Sequence, residues 1–146
     1  MLVKLCGFTE KKSLEVAVAE KCDFLGFIFY TKSSRFITPQ NAAKISVSVP
    51  SNIAKVAVVV DADLKFLEEI INEFKPDFLQ FHGNETPQFL EDFSKKFSQI
   101  KIIKAFHIAE KKDLEQVKNF ENLVSFFLFD SKLENKFGGS GKKFNW

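Results

Sequence analysis

Few residues in this 146-residue chain could do chemistry, and most of them follow apolar runs. Cys6 closes the run Leu2–Cys6, and Asp130 comes directly after Val124–Phe129. Arg35, Asp61, the pair His82-Gly83 and His107 follow other such runs. A carboxyl such as Asp130 serves as a general acid near neutral pH when burial or a like charge raises its pKa. It could equally cap the loop that follows it. Cys6 could act as a base if partly ionised, which calls for a nearby cation or an electropositive backbone. A lone cysteine otherwise serves as a small core hydrophobe, and Cys22, at the end of a helical pattern, is read that way. Arg35 is the only arginine in a lysine-rich chain, and its planar fork suits a carboxylate. Gly138-Gly139-Ser140-Gly141 would let backbone N–H groups approach an anion, but a mobile loop is the reading favoured here. His82 and His107 are far apart in sequence with no acidic partner at ligand spacing, so no metal is expected.

These residues need elements to position them, and the chain alternates strand-like and helix-like stretches throughout. Leu2–Cys6, Phe24–Phe29, Ala54–Val60, Asp77–Phe81, Ile100–Ala105 and Val124–Phe129 read as buried strands. Between them lie helical patterns. Thr9 is the expected cap of the first, Thr38 before Pro39 caps the second, and Asp63 caps Leu64–Phe74. Thr86-Pro87 opens a helix to about Phe97, and Lys111–Phe120 is the last. Unbroken apolar strands separated by helices make a parallel sheet in an α/β protein. No Gly-x-Gly-x-x-Gly follows the first strand, which argues against an open dinucleotide-binding sheet and any such cofactor. Polar residues collected at the C-terminal ends of strands favour a barrel, whose active face lies there.

Composition narrows the class further. With 21 basic and 19 acidic residues, nothing demands nucleic acid or an acidic membrane as partner. No apolar run approaches the ~20 residues of a membrane span, and the N-terminus lacks a signal-peptide pattern. Two cysteines fit a reduced, cytoplasmic protein. The 19 phenylalanines read as core filler.

Six segments together resemble one family. They are Lys4-Leu5-Cys6-Gly7-Phe8-Thr9; Gly26-Phe27-Ile28-Phe29 with Ser33-Ser34-Arg35-Phe36-Ile37-Thr38-Pro39; Leu79-Gln80-Phe81-His82-Gly83-Asn84-Glu85; Ile103-Lys104-Ala105-Phe106; Phe127-Leu128-Phe129-Asp130-Ser131; and Phe137 through Trp146. In order and spacing they are similar to the phosphoribosylanthranilate isomerases of tryptophan biosynthesis. The resemblance implies an incomplete (β/α)8 TIM barrel of about six βα units, forming one partial domain over residues 1–146. It implies an Amadori rearrangement of N-(5′-phosphoribosyl)anthranilate, with Asp130 as general acid and Cys6 as general base. Arg35 would pair with the anthranilate carboxylate, and His82, Gly7 and Gly139 would line the substrate. The phosphate would be held after two further strands, about a quarter of the fold, that the family carries past Trp146. Phe8 and Asn145 stand where the family often has Ile and Asp. A non-catalytic binding or assembly module is the alternative. Without further strands, Leu2–Cys6 and Val124–Phe129 would present sheet edges able to pair with another chain.

Overall fold

Each apolar run read as a strand forms one in the computed structural model, which describes residues 1–131. The strands are β1 (Lys4–Cys6), β2 (Phe24–Ile28), β3 (Ala54–Val59), β4 (Phe78–Phe81), β5 (Lys101–Ile108) and β6 (Phe126–Ser131). Between them come α1 (Lys11–Ala19), α2 (Pro39–Ile45), α3 (Leu64–Phe74), α4 (Pro87–Lys96) and a 3-10 helix over Lys111–Phe120. The strands pair in sequence order, every pair parallel.

The sheet curls. Phe24 on β2 meets Phe126 on β6 with ring centroids 5.9 Å apart, and both rings touch Phe78 on β4. In a flat sheet strands four places apart would lie roughly 19 Å apart, so these contacts require a concave inner face. Side chains alternate between faces. The inner face carries Phe24, Val56, Val58, Phe78, Ile103 and Leu128 as one small apolar cluster. The outer face joins the helices in the main core, where Leu67, Ile70 and Phe74 of α3 and Leu90 and Phe93 of α4 cover Phe27, Val59, Leu79 and Phe81. Many of the phenylalanines pack edge to face here, Phe27 against Phe74 at 4.8 Å and Phe81 against Phe93 at 5.2 Å.

Three of the expected caps form. Asp63 accepts the Phe66 N–H at 2.8 Å, Thr38 that of Asn41 at 3.3 Å and Thr86 that of Phe89 at 3.2 Å. Thr9 does not cap: α1 starts at Lys11 with Glu10 at the cap position and no side-chain cap bond, leaving Thr9 one residue too early to reach the orphan N–H groups. The last helical pattern is a 3-10 helix. Its apolar residues Leu114, Val117 and Phe120 recur every third position, the period of that helix rather than of an α-helix. β1 also differs from its reading as a buried strand. Among the described residues it pairs on one side only, and Leu2, Val3 and Leu5 are exposed. β1 and β6 are the outermost strands among the described residues, as expected. Gly139 and the rest of the Gly-rich stretch lie outside those residues. No described helix is long and apolar enough to cross a membrane.

Candidate functional site

Strand parity decides which chemical groups face inward. Lys4 and Cys6 share a face of β1, and Cys6 pairs in register with Gly26. A Cβ on Gly26 would lie 2.6 Å from Cys6 Sγ and 3.1 Å from Lys4 Nζ. Only a bare glycine lets the thiol and the ammonium both lie over β2 at this level. Cys6 is an exposed free thiol, whereas Cys22 is buried and burial pushes its thiol pKa up.

The chain leaves β1 through Gly7, whose φ of +95° is a conformation L side chains rarely adopt. Gly7 N–H donates to Gly26 O at 2.8 Å, tying the turn to β2. Its missing side chain is also the space filled by Arg35, whose Cδ and Nη1 would both lie 2.7 Å from a Cβ there. Arg35 donates from Nη1 to the Cys6 carbonyl at 3.0 Å. The β1 turn thus carries thiol, ammonium and guanidinium together.

A second group stands at the ends of β4, β5 and β6. His107 pairs in register with Asp130, and His82 immediately follows β4. The two imidazoles stack with centroids 5.0 Å apart and planes 21° apart, and His82 Nε2 lies 3.8 Å from Asp130 Oδ2. The His82 side chain is 11% exposed and that of Asp130 25%. Burial, then the neighbouring His107, depress the His82 pKa to about 4 from the ordinary 6.5; Asp130 opposes the shift, while Lys104 and Lys4 add to it. His82 is therefore neutral near pH 7. The sequence separation of the histidines had concealed this arrangement, since one step between adjacent parallel strands spans about 25 residues of chain.

Behind these groups sits an ion pair that the sequence reading did not identify. Lys104 and Glu85 have side chains 4% and 3% exposed, with Nζ 2.9 Å from Oε2. Lys104 Nζ also donates to Gly83 O at 2.8 Å and Phe81 O at 3.4 Å. The Glu85 carboxylate accepts N–H groups from Asp61 at 3.0 Å and from Gly83 at 3.1 Å. Asp61, held at φ 47°, accepts the Asn84 N–H at 2.6 Å. Each buried charge thus has its partners, as low dielectric requires. The available signal was a lysine inside the otherwise apolar run Ile102-Ile103-Lys104-Ala105-Phe106, which demands a buried anion nearby. An open concavity lies at the opposite, N-terminal strand ends. Its carboxylates are already committed, Asp23 to the Val3 N–H and Asp77 to the Lys55 N–H, both at 2.7 Å.

Comparison with known proteins fits this geometry. The family described as "N-(5'phosphoribosyl)anthranilate (PRA) isomerase" matches residues 3–146. The N-(5'-phosphoribosyl)anthranilate isomerase of Parabacteroides distasonis is 38% identical over 150 residues, covering 100% of this chain and 65% of that protein. That of Brucella canis is 37% identical over 147 residues, covering 99% and 66%. The chain therefore spans slightly less than two thirds of the length of these relatives. The crystal structure of the Thermotoga maritima phosphoribosyl anthranilate isomerase superposes with a TM-score of 0.86 at 28% identity, over 97% of this chain and 67% of that one. A phosphoribosyl anthranilate isomerase in complex with reduced 1-(o-carboxyphenylamino)-1-deoxyribulose 5-phosphate gives 0.82 at 28% identity, over 90% and 66%. The fold is of their TIM-barrel type, with six parallel strands described here.

Two outcomes follow from the electrostatics. Lys104→Met strands the buried Glu85 charge and is expected to cost about 3–5 kcal/mol in urea unfolding. Adding Glu85→Gln removes that charge while keeping an acceptor, so the double variant should regain most of the loss; strictly additive losses would contradict the coupling. The His82 imidazole should titrate near pH 4 by NMR. The unfolded chain takes this proton near pH 6.5 and the folded one does not. Stability from this residue is thus full above pH 6.5 and falls on acidification to about pH 4, by on the order of 3 kcal/mol. Titration near pH 6.5 would contradict it.

Proposed function

The chain belongs to the N-(5'-phosphoribosyl)anthranilate isomerase family, and on that premise we propose that it carries the proton-transfer machinery of the family's Amadori rearrangement. The substrate is N-(5′-phosphoribosyl)anthranilate, and the product its 1-deoxyribulose isomer. Asp130 acts as the general acid: it gives its proton to the furanose ring oxygen, the C1′–O bond breaks, and the anilino nitrogen's lone pair forms the iminium. Cys6, as thiolate, is the general base. It takes the proton from C2′, the C–H electrons flow toward the iminium nitrogen, and the resulting enolamine tautomerises to the ketone. Acid and base must approach the sugar from different sides, because each serves a different atom.

The observation that carries this reading is the division of groups between the two outermost described strands. Cys6 ends β1 and Asp130 lies near the end of β6, both inward by parity and both at the strand ends where barrel enzymes hold their chemistry. Arg35, folded against Gly7 beside Cys6, supplies a fork for the anthranilate carboxylate. His82, neutral and 3.8 Å from Asp130, lines the sugar side. Gly7 keeps the β1 turn low enough for substrate to approach, and the family resemblance assigns Gly139 a part in binding it. The family's phosphate anchor is assigned to turns after two further strands. The place of the family in tryptophan biosynthesis makes a cytoplasmic enzyme the accompanying expectation.

The test is fluorescence-monitored consumption of phosphoribosylanthranilate by the chain, alone and mixed with the C-terminal segment of a full-length relative. Activity in the mixture is expected. There, Cys6→Ala and Asp130→Asn should each lower kcat by at least ~100-fold, and Arg35→Lys should raise KM more than it lowers kcat. Retention of full activity by Cys6→Ala would refute the assignment.

A further inference from the structure

We infer that His82, His107 and Asp130 form a binding site for a divalent transition-metal ion of the Zn2+ type, overlapping the proposed isomerase site at His82 and Asp130 but argued from geometry that does not depend on that reading. One ligand atom from each residue lies within 4.8 Å of the others, and all three residues are partly shielded from solvent. They stand on three neighbouring strand ends, so the backbone fixes their spacing. A tetrahedral ion bound at ~2.0–2.2 Å needs ligand atoms roughly 3.4 Å apart. His82 Nε2 and Asp130 Oδ2 are already 3.8 Å apart. The remaining closure is within the broad side-chain torsion of an imidazole or a carboxylate.

The surroundings of His82 supply a second, separate observation. Its Nε2 is buried and makes no hydrogen bond among the described residues. Its Nδ1 lies 3.3 Å from the Gln80 side-chain nitrogen, while Gln80 Oε1 is buried with no partner among the described residues. Turning this one amide sets Oε1 against Nδ1, which then donates its proton and leaves Nε2 with a free lone pair. An oxygen acceptor behind a histidine is the outer-shell arrangement that orients metal-bound imidazoles. One rotation thus gives Gln80 Oε1 a donor and readies His82 as a ligand. Two imidazoles with one carboxylate favour zinc, nickel or copper over magnesium or calcium, which prefer all-oxygen sets. Three protein ligands leave the fourth position open to water. Because Asp130 is one of them, a bound ion would compete with the proposed acid role.

The experiment uses the tag-free, chelator-treated chain in calorimetric titrations with Zn2+ and with Mg2+. Co2+ absorption and imidazole 15N NMR identify the ligands in the unaltered protein. One Zn2+ per chain, weak or absent Mg2+ binding, Co2+ ligand-field bands without thiolate charge transfer and shifts at His82 and His107 Nε2 are expected. His107→Gln, checked for folding by circular dichroism, should weaken Zn2+ binding at least ~10-fold, since even outer-shell changes cost that much. Cys6→Ala should leave it unchanged. No stoichiometric Zn2+ binding, equal Mg2+ binding, unmoved histidine resonances in the unaltered chain, or loss of binding with Cys6→Ala would each overturn the proposal.

Discussion

The Lys104–Glu85 pair is the constraint on which the site's architecture depends. A lysine in the outward-facing register of a strand would meet only apolar helix surface, at a cost that an isolated buried charge could not meet. Glu85 neutralises it at 2.9 Å, and the remaining donors and acceptors of both groups turn to backbone. Phe81 and Gly83 carbonyls bind the ammonium, while Asp61 and Gly83 N–H groups bind the carboxylate. The ends of β3 and β4 are therefore tied through one ion pair to the middle of β5. His82 sits between two of the tied residues, Phe81 and Gly83, so its backbone is held from behind while its ring stacks on His107.

Parity then carries that order to the inner face. In a parallel sheet whose strands pair in sequence order, residues two apart point the same way, and register links them across strands. Lys4 and Cys6 on β1, and His107 beside Asp130 on β5 and β6, follow from this rule and from curling of the sheet. The interior below them is filled by Phe24, Phe78 and Phe126 in mutual contact. That plug separates the polar groups at the C-terminal strand ends from those at the opposite end. The same curvature that brings the rings into contact faces the β1 group, with thiol and two cations, toward the β4–β6 group, with imidazoles and a carboxylate.

Much of this was legible in the chain itself. Alternating apolar runs and helical patterns gave all six strands, and Asp63, Thr38-Pro39 and Thr86-Pro87 marked helix starts because capping is a local interaction. What escaped was what depends on packing between strands. His82 and His107 stack although 25 positions separate them in the numbering, because adjacent parallel strands are joined by a whole helix. The Lys104–Glu85 pairing joins residues 19 positions apart, so the run around Lys104 signals a buried anion without naming it. Leu2–Cys6 read as buried from composition alone, yet an outer strand covers only one edge. Thr9 failed as a cap by a single residue, a margin that sequence patterns do not resolve.

The turn carrying His82 must be rigid before any ligand arrives, since positioning rather than new contact is what the ion pair supplies. Amide hydrogen exchange of the unliganded chain measures this directly at Asp61, Gly83 and Asn84, whose N–H groups are bound by Glu85 or Asp61. Protection of these amides comparable to that of the β4 core, lost in Lys104→Met, is the expected result. Rapid exchange at all three in the unaltered chain, with β4 itself protected, would contradict the claim that this buried pair holds the site in place.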